Sequence, residues 1–165
     1  MSESNKPRLR AFETAPHQKH IADEDRYLYK SGQASHKLVV IGTGTIGQEH
    51  MRVAALLGRG KIHGIFDTST RSMDVAEENF RKISADPLIR YNDLESACMD
   101  PAVDAILICT PNFTHFEVLQ TALKSEKPIF LEKPMATELG EAAKIVEIAE
   151  NYKSFIQIGL QYRYK

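Results

Sequence analysis

The 165-residue sequence has no tryptophan and few cysteines. Its two cysteines, Cys98 and Cys109, are too few for a disulfide framework and do not have the spacing of a zinc site, so both are interpreted as small buried apolar residues. Long apolar runs are absent as well. None approaches the roughly 20 residues that cross a bilayer, and the first thirty residues lack the apolar segment of a signal peptide. These absences predict a soluble, cytoplasmic protein without a membrane partner.

An excess of charge of one sign is also missing. Lysine and arginine number 21, aspartate and glutamate 22, and the formal net charge is -1. Without a positive field to gather phosphate backbones, nucleic acid is not an expected partner. Hydrophobic residues make up 42% of the chain, which is enough for one compact domain.

The first 35 residues are polar and charged, with scattered large apolar side chains. Such a segment cannot bury enough surface to order itself, so residues 1–35 are predicted to form a flexible arm. A short helix over Ile21–Tyr29 would need a surface to dock against. His17 and His20 have a helical spacing, but no carboxylate or cysteine pattern accompanies them, and no metal site is predicted.

From His36 onward, short β-rich runs alternate with segments whose apolar residues recur at helical spacing. This alternation predicts a doubly wound parallel α/β sheet, the Rossmann fold, as a single domain over residues 36–165 with strand order 3-2-1-4-5-6. The predicted strands are Leu38–Ile41, Ile62–Phe66, Ile89–Tyr91, Ala105–Cys109, Ile129–Leu131 and Phe155–Leu160. The predicted inner helix faces include Ile46, Val53, Ala54 and Leu57 in the first helix, and Leu139, Ala142, Ala143, Val146 and Ala149 in the last.

A glycine pattern, Gly42-x-Gly44-x-x-Gly47, follows the first strand and opens the first helix. Gly42 permits a tight turn, Gly44 lets a pyrophosphate approach the backbone, and Gly47 lets the helix pack closely on the strand. The N–H groups at the helix start, around Thr45 and Ile46, would receive the phosphates. A plain structural turn is the alternative interpretation.

An acidic residue supports the dinucleotide interpretation. Asp67 closes the second strand twenty residues beyond Gly47, where a carboxylate would accept hydrogen bonds from the adenine ribose. A carboxylate about 4 Å from a 2′-phosphate is repelled by roughly 1 kcal/mol in water and about 4 kcal/mol at an effective dielectric near 20, which favours NAD over NADP. Arg71 would neutralise an extra phosphate or be solvated, so NADP is left open as a minor cofactor.

Further motifs follow the fourth and fifth strands. The first reads Cys109-Thr110-Pro111-Asn112-Phe113-Thr114-His115, and the second reads Phe130-Leu131-Glu132-Lys133-Pro134-Met135-Ala136. With the glycine turn and the closing segment Gly159-Leu160-Gln161-Tyr162-Arg163-Tyr164, they make residues 36–165 similar to the Gfo/Idh/MocA family of NAD(P)-dependent oxidoreductases. The E-K-P motif is the most specific of these elements.

The resemblance implies a catalytic role for Lys133, at the substrate hydroxyl beside the nicotinamide. An ammonium group there would stabilise a developing alkoxide during hydride transfer; a surface lysine in a loop is the alternative. A cis peptide bond before Pro134 is also expected.

The resemblance further implies a set of cofactor contacts. Thr110, Pro111 and Asn112 would line the pyrophosphate and the nicotinamide ribose, and Glu132 would contact a ribose or the backbone. His115 is either a cofactor contact or a packing residue at a helix start. The complete predicted cofactor-binding set is Gly42, Gly44, Thr45, Ile46, Gly47, Asp67, Arg71, Thr110, Pro111, Asn112, His115, Glu132, Lys133 and Arg163. The other histidines of the domain, His36, His50 and His63, are interpreted as surface or packing residues.

The resemblance implies the chemistry of the whole enzyme as well. Hydride would pass between the nicotinamide cofactor and a sugar, cyclitol or related polyol. Family members carry a second α/β domain that binds the substrate, and no such domain is expected in this chain. We therefore expect a homo-oligomer or a partner chain that supplies it. The alternative is a stand-alone dinucleotide-binding or regulatory module without turnover, and whether this chain alone is an enzyme is left open.

Overall fold

The computed structural model describes residues 34–164, with the backbone alone for residues 163 and 164. The predicted helix over Ile21–Tyr29, and His17 and His20, lie outside the described residues. Across residues 34–164 the chain forms a six-stranded parallel sheet in the order β3-β2-β1-β4-β5-β6. The predicted strand order and doubly wound architecture are confirmed.

The strands match the predicted runs closely, and a helix occupies each crossover. The strands are β1 His36–Ile41, β2 Gly60–Phe66, β3 Ile89–Arg90, β4 Ala105–Ile108, β5 Ile129–Leu131 and β6 Ile156–Ile158. The helices are α1 Thr45–Leu57, α2 Thr70–Arg81, α3 Leu94–Met99, α4 His115–Leu123 and α5 Leu139–Asn151. Short 3-10 turns cover Asn112–Thr114 and Gln161–Tyr164. Between residues 34 and 164, no helix combines the length and the apolar character needed to cross a membrane.

The alternation of side chains along β1 separates the core onto the two faces of the sheet. Val39 and Ile41 pack in a cluster with residues of α3, α4 and α5, whereas Val40 packs with residues of α1 and α2. All three side chains are at most 1% exposed. A strand buried on both faces reads as an apolar run, which is why Leu38–Ile41 was recognisable in the sequence.

Local hydrogen bonds define where several helices begin and end. Ser69 caps α2 by accepting a hydrogen bond from the Ser72 N–H at 3.2 Å, and Asp93 caps α3 through the Ser96 N–H at 2.7 Å. Helix α1 ends at Gly58, which adopts a left-handed conformation with φ of 66°. These caps satisfy backbone groups that a helix terminus leaves without partners.

The predicted inner faces of α1 and α5 are partly wrong. Ile46 is 47% exposed, and Met51 is the large apolar side chain of α1 that is buried. In α5 the buried side chain is Ile145, while Leu139 is 87% and Val146 51% exposed. The apolar residues of α5 surround more than one face of the helix, so their spacing does not identify which face meets the sheet.

Candidate cofactor-binding site

The glycine turn lies where the carboxyl ends of β1 and β4 meet. Gly42 has a φ of 89°, and a Cβ there would come within 2.7 Å of the backbone of Cys109 and Thr110. The Gly42 N–H also donates to the Phe66 carbonyl oxygen at 2.8 Å. Only glycine accommodates this conformation and this close approach. The turn therefore sits at the point where the strand order reverses, the usual ligand crevice of an open α/β sheet.

The other glycines of the turn differ in what surrounds them. A Cβ on Gly47 would lie 2.0 Å from the Gly42 carbonyl oxygen, whereas a Cβ on Gly44 would meet nothing within 4 Å. Gly44 is thus not required by packing, and it leaves open space above the start of α1. No side chain caps this helix terminus and no acidic residue occupies its first turn, where Thr45 and Ile46 are exposed. An open, uncapped helix N-terminus fits a pyrophosphate.

The Asp67 carboxylate lies against the glycine turn. Its Oδ2 accepts hydrogen bonds from the Thr43 N–H at 2.7 Å and the Thr43 hydroxyl at 3.1 Å, and its Oδ1 accepts one from the Ser69 N–H at 2.9 Å. A carboxylate has about four acceptor sites, so the three bonds leave capacity for a ribose hydroxyl. The carboxylate also holds the turn against the end of β2.

Thr43 belongs to this site although the sequence did not indicate it. Its side chain has no exposed surface, and while its hydroxyl donates to Asp67 it accepts a hydrogen bond from the Ser72 hydroxyl, with the two oxygens 2.9 Å apart. Thr43 occupies a variable position of the glycine pattern, so the pattern assigns it no role. The sequence does contain one signal for this role. Thr43 comes directly after Gly42, the glycine that follows β1, and the acid Asp67 comes directly after the neighbouring strand β2.

Two arginines, Arg71 and Arg163, belong to the predicted cofactor-binding set. Arg71 is exposed in the first turn of α2, a place that suits a solvated side chain as well as a phosphate contact. Arg163 lies in the 3-10 turn Gln161–Tyr164, and its side chain is outside the described atoms. Their cofactor roles stay predictions.

The loop after β4 presents accessible groups at the crevice. Pro111 and Asn112 are exposed, and the loop is held from within by the Thr114 hydroxyl, which bonds to the Pro111 carbonyl oxygen at 2.7 Å and to the Thr110 Oγ1 at 2.9 Å. The backbone of Thr110 also lies against Gly42. A rigid, exposed loop in contact with the glycine turn suits the predicted role of lining a dinucleotide.

His115 links this loop to the loop after β5, which carries Glu132, Lys133 and Pro134 and is called the E-K-P loop. Its Nδ1 lies 2.8 Å from the Pro134 carbonyl oxygen and its Nε2 3.0 Å from the Thr110 carbonyl oxygen, and the side chain is 0% exposed. With both ring nitrogens facing backbone carbonyls, the imidazole presents no polar atom to a ligand. Of the two interpretations of His115, this geometry favours the packing residue at a helix start over a direct cofactor contact.

The E-K-P loop follows β5 at the same edge of the sheet. The Lys133–Pro134 peptide bond is cis, as expected, and the Lys133 side chain is exposed. The Glu132 Oε2 accepts a hydrogen bond from the Lys133 N–H at 3.0 Å, and its Oε1 lies 2.7 Å from His50 Nε2. Of the two contacts expected for Glu132, ribose or backbone, the structure shows the backbone contact. The sequence interpretation of His50 as a surface or packing residue does not include this contact with Glu132, which only the structure shows.

The Cys109 thiol beside the crevice has low nucleophilicity. Burial, together with the nearby charge of Glu132, raises the pKa of the Cys109 thiol to about 12. A thiol with such a pKa is protonated at neutral pH and is a poor nucleophile. This agrees with the interpretation of Cys109 as a packing residue. Cys98 is likewise buried, and burial raises its pKa to about 11.

The glycine turn leaves open space at Gly44, the Asp67 carboxylate lies against the turn, and the loops after β4 and β5 are accessible. Together these features define a dinucleotide-binding site of the Rossmann type. Comparison with known families agrees. Residues 36–160 match the model of the Gfo/Idh/MocA oxidoreductase family, which is described by its NAD-binding Rossmann fold. The chain belongs to this family, and the predicted cofactor, NAD, is the one by which the family is described.

Individual relatives point the same way. Inositol 2-dehydrogenase of Paracoccus denitrificans is 34% identical over 131 residues, which cover 78% of this chain and 38% of the relative. Inositol 2-dehydrogenase/D-chiro-inositol 3-dehydrogenase of Halalkalibacterium halodurans is 34% identical over 127 residues, covering 76% and 35%. The crystal structure of myo-inositol dehydrogenase from Lactobacillus casei in complex with NAD(H) and myo-inositol superposes with a TM-score of 0.70 at 29% identity, over 79% of this chain and 38% of that chain.

The matched region is only part of each of these proteins. The chain spans about 38% of the length of the Paracoccus denitrificans enzyme and of the Lactobacillus casei structure. Most of each relative therefore lies outside the region of similarity.

Proposed function

We propose that this chain is the cofactor-binding part of an NAD-dependent dehydrogenase that acts on a cyclitol or a related polyol. The observation that carries the proposal is the open space at Gly44, next to the uncapped start of α1 and at the reversal of strand order. The inositol dehydrogenases among its relatives support the choice of substrate class.

The geometry supports a proposal for the residues that would hold the cofactor. The glycine turn and the start of α1 would bind the pyrophosphate, and Asp67 would accept hydrogen bonds from the adenine ribose. A bound NAD⁺ supplies an acceptor for one hydride, that is, two electrons and a proton. The exposed residues Pro111 and Asn112 would border the nicotinamide end of the crevice.

The proposed chemistry assigns one role to Lys133. The carbinol carbon would pass its hydride to NAD⁺ while its hydroxyl O–H bond breaks and the proton leaves to solvent water, so that the alcohol becomes a ketone. The Lys133 ammonium group would donate a hydrogen bond to that oxygen and stabilise the negative charge that develops on it. Its exposed place in the loop after β5 leaves the side chain accessible to a substrate.

The remaining parts of the proposal concern the setting of the enzyme. Because the region of similarity covers a minor share of each relative, we propose that substrate binding also uses a second domain, in a homo-oligomer or with a partner chain. A cytoplasmic location is part of the same proposal, supported by the free, buried cysteines 98 and 109.

The test combines a cofactor titration with a turnover assay. NADH fluorescence is measured on titration with the chain, and NAD⁺ reduction by myo-inositol and other cyclitols is followed in a longer or reconstituted form that contains the substrate domain. Saturable NADH binding with cyclitol-dependent reduction supports the proposal. Binding without reduction of NAD⁺ supports the stand-alone binding module instead, and absence of NADH binding contradicts both.

A further inference from the structure

The side chains of His50 and Glu132 join elements that lie 82 residues apart in the sequence. His50 belongs to α1, the helix whose start would bind the cofactor phosphates, and Glu132 belongs to the E-K-P loop. The distance between His50 Nε2 and Glu132 Oε1 is 2.7 Å. Because a carboxylate only accepts hydrogen bonds, Nε2 must carry the proton and donate it.

The pair is sheltered and closely surrounded. The side chain of His50 is 27% exposed and that of Glu132 15%. The His50 ring packs edge-on against Phe130, with ring centroids 5.0 Å apart. On the other side, a Cβ on Gly159 would come within 3.2 Å of the Glu132 carboxylate. These contacts leave the carboxylate little freedom to change its orientation.

The second oxygen of Glu132 extends the connection to Lys133. Its Oε2 accepts a hydrogen bond from the Lys133 backbone N–H at 3.0 Å. One carboxylate thus receives a donor from the helix and a donor from the loop, one on each oxygen. Hydrogen bonds to a charged group are stronger than neutral ones, and sheltering from water strengthens them further.

We propose that His50 and Glu132 are a positioning pair, which fixes the backbone of Lys133 relative to helix α1. The inference rests on the proposed function of Lys133. Catalytic geometry must be held to a fraction of an ångström by supporting side chains, and a site attached to a helix is held better than one on a free loop. The pair attaches the E-K-P loop to the same helix that would hold the cofactor, so the ammonium group and the cofactor share one rigid reference.

The test measures hydrogen exchange at the Lys133 amide by NMR in the 165-residue chain. His50→Phe keeps a ring against Phe130 but removes the donor, and should accelerate exchange at Lys133 roughly tenfold. His50→Gln restores an N–H donor of similar reach, and should return the rate to within about threefold of the unmodified chain. Glu49→Gln, an exposed neighbour on α1, is the matched control and should leave the rate unchanged.

A second measurement separates positioning from packing. In a cyclitol-oxidation assay of a longer or reconstituted form that contains the substrate domain, His50→Phe should lower kcat by about tenfold while KM for NAD⁺ stays within about threefold, because the phosphate site is intact. Exchange at the Val40 amide of β1 reports global unfolding. If the His50→Phe variant loses protection at the Val40 amide, Lys133 exchange is measured instead in Glu132→Gln, which alters the carboxylate side of the pair.

The outcomes are decisive without reference to cofactor binding. Unchanged Lys133 exchange in His50→Phe, with Val40 still protected, overturns the positioning pair. A His50→Gln variant as impaired as His50→Phe also overturns it, since packing rather than the donor would then matter. Failure of the unmodified chain to bind NADH would instead contradict the proposed function, and the exchange rates would still report on the pair.

Discussion

The glycine turn and the E-K-P loop lie at the same edge of the sheet, but they are built in opposite ways. The turn depends on side chains that are absent, at Gly42, Gly44 and Gly47, so that backbone and open space form the site. The E-K-P loop depends on side chains that are present, with Glu132 bonded to His50 and the loop backbone bonded to His115. The difference suggests that cofactor affinity and catalysis can be impaired separately.

The largest expected effect separates two glycines of the turn. Gly47→Ala would place a Cβ 2.0 Å from the Gly42 carbonyl oxygen, so we expect a loss of stability of about 3 kcal/mol or more. Gly44→Ala has open space and a φ of -65°, so we expect it to fold with a change within about 1 kcal/mol. The Cβ introduced by Gly44→Ala would occupy the open space at the start of α1 and weaken NADH binding by about tenfold or more, where tenfold corresponds to about 1.4 kcal/mol. Thermal unfolding and an NADH titration measure both.

Tight NADH binding by Gly44→Ala would contradict the proposed position of the pyrophosphate. If Gly44→Ala bound NADH as tightly as the unmodified chain, the pyrophosphate would not lie over Gly44. The alternative of a plain structural turn would then gain support.

The second prediction concerns Lys133, on the other side of the comparison. In a longer or reconstituted form that contains the substrate domain, Lys133→Ala should reduce turnover of a cyclitol by roughly a hundredfold, since it removes a charge that stabilises the transition state. The NADH dissociation constant should stay within about threefold, because the glycine turn is unaffected. Lys124→Ala, an exposed lysine after α4, serves as the control. A loss of NADH affinity in proportion to activity would make Lys133 a cofactor contact or a structural residue.

The third prediction tests cofactor preference at Asp67. Asp67→Ala should weaken NADH binding and narrow its advantage over NADPH by roughly tenfold, because repulsion of the 2′-phosphate is removed. Part of the NADH loss will come from Thr43, which loses its bonds to the carboxylate. Asp74→Asn, an exposed member of an ion pair on α2, is the control for a change of charge. An unchanged NADH to NADPH ratio would contradict the role of Asp67.

The smallest expected effect is at the β6 edge of the sheet. Val146 and Phe155 are 51% and 61% exposed, Val146 lies beside Ile156 and Ile158 of β6, and apolar surface of this kind favours association. We expect weak, concentration-dependent self-association of the chain in sedimentation velocity, reduced in Val146→Lys. A monomer at all concentrations would count against it. Val75→Lys, on the exposed face of α2, is the control.

Much of the fold could be predicted because it depends on local patterns. Apolar runs such as Val39–Ile41 identify strands buried on both faces, and the glycine pattern identifies the phosphate turn from a few adjacent residues. The faces of α1 and α5 could not be predicted in the same way. Met51 and Ile145 are the buried residues, because each helix is oriented by the sheet it packs on and not by its own apolar content.

The sequence by itself determined the strands, the glycine turn and the motifs of the family, because each follows from residues close together in the chain, and the strand order followed from the right-handed crossovers of βαβ units. Only the tertiary structure decided the partners of the histidines. His50 meets Glu132 and His115 meets the Pro134 carbonyl, across 82 and 19 residues respectively. A lone histidine carries no local pattern that names its partner. Its role is set by which loops the parallel crossovers bring to the same edge of the sheet.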